Sequence, residues 1–267
     1  MSAVTEIAAG VAGSSALSYQ LTLTGSAAVG DLVVVIGGNS NTNALASSAV
    51  TDSQGNTWTL AKATTQASAT RAGVWYSVLT TALTGGTDWV KLTTSSGSNS
   101  WKTLLVWKLT PATSISLDKI NSHDTQPTNT AMTPGTTGTL TQTLELAVAL
   151  YQYANASSPA FTATAGWSQT ATTQQIAGGT TVNALSAQYQ ITAATTALNP
   201  SATISQTNTY GAAIATFAFT ATVTTNTTLT ATQAQTATLP RQAGATRSPT
   251  QAQTPTVIKQ TAKTLTP

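Results

Sequence analysis

A short apolar run framed by glycines, Gly30-Asp31-Leu32-Val33-Val34-Val35-Ile36-Gly37, does most to limit what this chain can fold into. It is too short and too rich in aliphatic and β-branched side chains for a helix, and it reads as a buried strand. An echo follows at Leu144-Glu145-Leu146-Ala147-Val148-Ala149-Leu150-Tyr151. What comes after each run also matches. Gly166-Trp167 answers Thr57-Trp58, residues 183–189 answer 71–76, and residues 210–219 answer 101–109. The repetition predicts an all-β chain with an internally duplicated strand set. One set alone is expected to be too thin to bury its faces, so the halves should interleave in one antiparallel β-sandwich, jelly-roll-like, of roughly ten to fourteen strands.

The segments between the two runs fit that frame. Tyr19, Leu21 and Leu23 alternate with polar residues. Val50 to Trp58 reads as strand, turn and strand, with Asp52 and Asn56 bonding local backbone and Gly55 supplying positive φ. Further strands cover 71–79, 88–92 and 101–109, the last ended by Pro111. In 71–79, Val74, Tyr76 and Val78 share one face and Trp75, Ser77 and Leu79 the other. Residues 1–15 form an N-terminal arm or a first edge strand, 16–221 the β-sandwich, and 112–138 a linker crossing between its halves.

From about residue 222 the pattern changes. No aromatic follows Phe219, and a period of 18 residues aligns 228–242 with 246–260. Such Thr/Gln-rich units cannot build a core alone. Residues 222–267 therefore read as a repetitive C-terminal tail that is either disordered or extended along partner chains, and the extended reading is the expectation carried forward. Gln233, Gln235, Arg241, Gln251, Gln253 and Lys259 are its candidate partner contacts.

Only 6% of residues are charged, against about 25% in ordinary globular chains. Residues 1–221 carry six Lys or Arg against seven Asp or Glu; the tail adds four basic residues and no acid. Scattered charge of this kind argues against nucleic-acid binding. No apolar stretch reaches the length of a membrane helix. The start, Met1 to Glu6, lacks the basic region of a secretory signal peptide. With no cysteine, thiolate chemistry and cysteine-based zinc sites are excluded.

No catalytic constellation is legible. His123 is the single histidine, between Asp118 and Asp124 in an expected loop, and no nucleophile elbow accompanies it. It reads as a solvated side chain. The seven carboxylates converge on no site. Asp52, Gln54 and Asn56 place oxygens at alternate positions, as calcium loops do, but a late bidentate Glu is missing and a hairpin turn explains them. No enzyme activity, cofactor or metal is expected. Among the six tryptophans, alternation places Trp58, Trp101 and Trp107 in the core. Trp89 shares a polar face with Lys91, and Trp75 a mixed one. An aromatic ring among hydroxyls and amides can stack on a sugar, so Trp89, Lys91 and Trp75 form a candidate glycan contact.

The order Gly30-Asp31-Leu32-Val33-Val34, then Val50-Thr51-Asp52-Ser53-Gln54-Gly55-Asn56-Thr57-Trp58, then Val74-Trp75-Tyr76 resembles β-sandwich domains in structural proteins of tailed phages of actinobacteria, often labelled minor tail proteins. The repeat at 230–239 is similar to repeats that trail some of those proteins. The resemblance implies a virion component among other virion proteins; the tail, whose edges pair with copies of itself when extended, adds the expectation of a homo-oligomer, a trimer or higher ring. The resemblance carries over no catalytic residue. Virion assembly in the host cytoplasm would fit the missing signal peptide. Two other roles follow from the same features: capsid decoration, and a bacterial carbohydrate-binding or adhesin module.

Overall fold

Two strand sets of the same connectivity follow one another along the chain, and each is a long hairpin rolled up on itself. The computed structural model describes residues 3–13, 16–39, 45–64, 71–95, 101–110, 112–155, 160–169, 174–176 and 182–221. Residues 1–221 form one compact unit; the separate unit 222–267, with all six candidate tail contacts, lies outside the described residues.

The first set comprises β1 (Ala3–Gly13), β2 (Ser18–Thr22), β3 (Leu32–Asn39), β4 (Val50–Asp52), β5 (Thr59–Ala63), β6 (Arg71–Val78), β7 (Trp89–Thr93) and β8 (Trp101–Thr110). β1 pairs β8, β2 pairs β7 and β3 pairs β6, all antiparallel. Those nested pairs are one hairpin. The lateral pairings β8–β3 and β7–β4 roll it into the sheets β1-β8-β3-β6-β5 and β2-β7-β4. This is jelly-roll connectivity.

The second set comprises β9 (Ala112–Met132), β10 (Glu145–Asn155), β11 (Phe161–Thr162), β12 (Gln174–Ile176), β13 (Val182–Ile191) and β14 (Ala202–Ala221). Its order β9-β14-β10-β13-β12 repeats β1-β8-β3-β6-β5. The agreement holds at single residues. Leu32 lies between Leu109 and Val78, and Leu146 between Phe217 and Ile191. Thr59 faces Tyr76, and Ser168 bridges Tyr189. β9 and β14 are long because each does the work of two strands. β14 pairs β10 over 210–218 and β11 near its start, as β8 pairs β3 and β7 pairs β4. Register shifts between β14 and β9 mark bulges that bend this long pair within its one six-stranded sheet. Ser114, near the start of β9, is left-handed at φ 53°.

The rolls pack through their larger sheets. Leu32, Val34, Ile36, Leu105 and Trp107 of the first meet Leu146, Val148, Leu150, Ala215 and Phe217 of the second in one shared core. β1 and β8 contact β12, β5 contacts β9, β6 contacts β10, and β3 contacts β13. Exchanging the two rolls turns the β1–β12 contact into β9–β5 and the β6–β10 contact into β13–β3, so an approximate internal two-fold relates them, as in an isologous dimer. The rings obey it too. Tyr76 meets Phe217 at 5.1 Å and Tyr189 meets Trp107 at 5.5 Å, so each roll's sixth-strand tyrosine rests on the other's last strand.

Each roll also has a core of its own. Val33, Val35, Trp75, Leu104 and Val106 face Leu23, Val50, Val90 and Leu92 in the first. Ala149, Tyr151, Tyr153 and Ile214 face Met132, Ala202 and Ile204 in the second. Two expectations change as a result. The halves do not interleave, because each roll covers its second face itself, and pairing within a roll closes shorter loops. The expected linker is β9. Of the two readings of the N-terminal residues, arm or first edge strand, residues 3–13 take the second as β1.

Both rolls point the same way. Gln152 Nε2 on β10 donates to the Asn39 carbonyl at the end of β3 (3.2 Å). Ala3 sits opposite Thr110 and Ala221 opposite Ala112, so the compact unit begins and ends at one corner.

Candidate ligand-contact face

β7 alternates cleanly. Val90 and Leu92 are fully buried under the first roll, while Trp89 and Lys91 are half-buried and point outward. Their cross-strand neighbours are Thr22 and Gln20 on β2 and Thr51 on β4, all exposed. The outer face of the small sheet is therefore one indole and one ammonium among hydroxyls and an amide. Lys91 Nζ lies 5.2 Å from the Trp89 ring centroid, a cation–π contact that already covers part of the ring.

Trp89 is held from below. Its amide donates to Ser53 Oγ (3.2 Å), and Ser53 Oγ donates to Asp88 Oδ1 (2.6 Å). Asp88 also accepts from Gln54 Nε2 and the Thr84 amide, both at 2.7 Å. The Ser53 hydroxyl, then the Thr84 amide and Gln54, hold the Asp88 carboxyl below the usual carboxylate range. Asp52 continues the network, accepting from the Gln54 amide (2.7 Å), the Asn56 amide (3.2 Å) and Trp58 Nε1 (2.7 Å). Its oxygens serve the turn, with Gly55 at φ 72°. Both carboxylates are thus bonded to the turn and to the strand beneath Trp89.

The structure unites two of the three proposed glycan residues and removes the third. Trp75 is fully buried on β6, packed over Gly37 and Gly73, with Nε1 donating to the Ala46 carbonyl (3.2 Å). Alternation placed it on a mixed face. The rolled-up second sheet covers that face completely. Trp58 and Trp107 are core residues as expected, at 8% and 1% exposure. His123 lies in β9 rather than in a loop, half-buried, opposite Ala212. Among the described residues no three His, Cys, Asp or Glu gather as a metal cluster, and no helix is long and apolar enough to cross a membrane.

Sequence reasoning passed over one group, Glu145. It begins β10 with no exposed surface. The signal was there to read: a carboxylate between Leu144 and Leu146 in the run taken as a buried strand. No family model, no curated protein and no solved structure matches the chain.

Proposed function

We propose that this chain is a non-enzymatic structural protein of a tailed-phage virion, a minor tail component. The double roll is displayed on the particle, and the Thr/Gln tail lies along neighbouring subunits, copies of this chain among them. The observation that carries the reading is the joining of a body that closes on itself to an 18-residue repeat. A body whose two chain ends share a corner has an attached side and a displayed side. The resemblance of residues 30–220 and of the tail to actinophage tail proteins supplies the particle. Quantitative mass spectrometry of purified particles, with gold-labelled antibody against residues 1–221, tests it. Label at the tail with a fixed copy number supports the proposal. Label over the head replaces it with capsid decoration. Absence from particles, with the chain on a bacterial envelope, replaces it with an adhesin.

Within this proposal the Trp89–Lys91 face contacts host-surface glycan. An aromatic ring beside Thr22, Gln20 and Thr51 is the observation that favours it. Glycan-array binding by the full chain, lost at least tenfold in Trp89→Ala, is expected. Equal binding by both proteins, or none by either, rejects the contact.

A further inference from the structure

The corner where β9, β10 and β14 meet brings two carboxyl groups onto one loop. Consecutive amides of one loop serve them: Thr141 N donates to Asp118 Oδ2 (2.9 Å) and Gln142 N to Glu145 Oε1 (3.3 Å). Asp118 Oδ1 also takes the Lys119 ammonium at 2.8 Å. Among the described residues no cation pairs with Glu145, and its buried Oε2 makes no hydrogen bond. As a carboxylate Glu145 thus leaves a charged oxygen unsatisfied in the interior, an expensive arrangement. As a carboxylic acid it becomes a donor, and Asp118 beside it is an acceptor.

We propose that Glu145 and Asp118 share one proton and form a pH-operated clasp, closed while the proton is held and loosened when it is lost. The clasp fastens the end of β14. Gln142, whose amide serves Glu145, also donates through Nε2 to the Leu144 and Phe219 carbonyls, both at 3.0 Å. Phe219 N donates to Leu144 O (3.3 Å). Thr192 ties in β13, donating its amide to the Glu145 carbonyl (2.8 Å) and accepting the Glu145 amide at Oγ1 (3.0 Å).

Few other charges act here. Asp118 and Lys119 come from β9; β14 contributes Thr216, the position just after β13 Thr192, and the loop Thr141 and Gln142, and these last four do not titrate. Burial first, then the neighbouring Asp118 carboxyl, raise the Glu145 carboxyl against the opposing pull of the nearby Thr216 hydroxyl and the Gln142 amide. Burial pushes Asp118 up, but Lys119, Thr141 and Glu145 together hold it below the ordinary range. The signs follow. The Glu145 contribution is complete below an ordinary glutamate value of about 4.3 and is lost as pH rises through the raised folded value. The Asp118 contribution is present above about 3.9 and is lost in acid. The corner is tightest between the two.

Carboxyl-carbon NMR and amide exchange on the full chain, from pH 4 to pH 9, test the clasp. The Glu145 carboxyl is expected to titrate above the ordinary range. Asp118→Asn should lower its midpoint by about one unit, the size of coupling that makes two sites titrate as a pair. Protection of the Phe219 amide, corrected for intrinsic exchange, should fall at least tenfold as the proton leaves. It should stay constant in Glu145→Gln, whose amide donates to Asp118 without titrating. An ordinary Glu145 midpoint, or one unmoved by Asp118→Asn, overturns the proposal. So does the same loss of protection in Glu145→Gln. If either variant fails to fold, the wild-type titration and the wild-type Phe219 exchange profile decide: a raised midpoint with loss of protection at the same pH supports the clasp, and anything else rejects it.

Discussion

The two rolls share a connectivity but fill their private cores by opposite means. In the first, Val35 faces Trp75 and Gly37 faces Gly73 across β3 and β6. The corresponding pairs in the second are Ala149 with Gln188 and Tyr151 with Ser186. The large ring has moved from the sixth strand to the third. A Cβ on Gly73 would come within 2.8 Å of the Trp75 ring and one on Gly37 within 3.2 Å, so the indole needs both glycines. In the second roll Tyr151 fills the space instead and must be satisfied. Gln188 Nε2 donates to its hydroxyl (2.7 Å) and to Thr164 Oγ1 (2.8 Å), and Gln188 Oε1 accepts the Thr164 amide (2.7 Å). Burial raises the Tyr151 phenol well above its ordinary value, so it stays neutral. One backbone plan thus accepts a dry core built on dispersion and area, or a hydrogen-bonded core. The plan fixes how much volume must be filled, and local chemistry fixes with what.

The largest expected effect tests that contrast directly. Trp75→Ala should cost about 3–5 kcal/mol, because it opens a cavity over two glycines that cannot fill it. Tyr151→Phe should cost about 1 kcal/mol, since Gln188 keeps Thr164 as a partner. Urea unfolding of both variants gives the comparison, and equal losses would break it. Both should unfold in one transition with the parent, because the shared core couples the rolls.

A middle-sized effect concerns charge. Asp88 lies buried under the first roll's outer sheet. Its folded pKa is lowered, so its stabilisation is present above about 3.9 and disappears as pH falls through the folded value. Asp88→Asn should lose about 1.5–3 kcal/mol at neutral pH and flatten the acid limb of a stability profile. Exchange of the Trp89 amide, which rests on Ser53, should rise with it. An acid limb unchanged by the substitution would assign the pH dependence elsewhere.

The smallest effect lies at the junction of the rolls. Ser114 holds a left-handed conformation, which costs a residue with a side chain about 1 kcal/mol. Ser114→Gly should gain a few tenths to about 1 kcal/mol, read as a small rise in thermal midpoint. A loss would mean that the serine side chain supports the bend.

Much of this could be read before any coordinates. The two glycine-framed runs became β3 and β10, and the echoes at Trp58 and Trp167 and at Tyr76 and Tyr189 fell at matching places in the two rolls. Alternation also placed Trp89 and Lys91 outward correctly. It failed at Trp75 because period-two patterning separates two faces without saying what covers the second one. It failed at 112–138 because Pro127 and a polar composition disguise a strand whose pairing is broken by bulges. Glu145 and Asp118, separated by a loop and part of two strands, become neighbours only through pairing with β14.

Taken alone, the sequence determined that this is a duplicated β protein with a repetitive tail, because side-chain period and turn chemistry are local properties of a chain. Whether the copies mesh or stack was decided only in three dimensions. That outcome depends on which faces find cover nearby and on how much loop entropy each pairing costs, and neither quantity is written in any single segment.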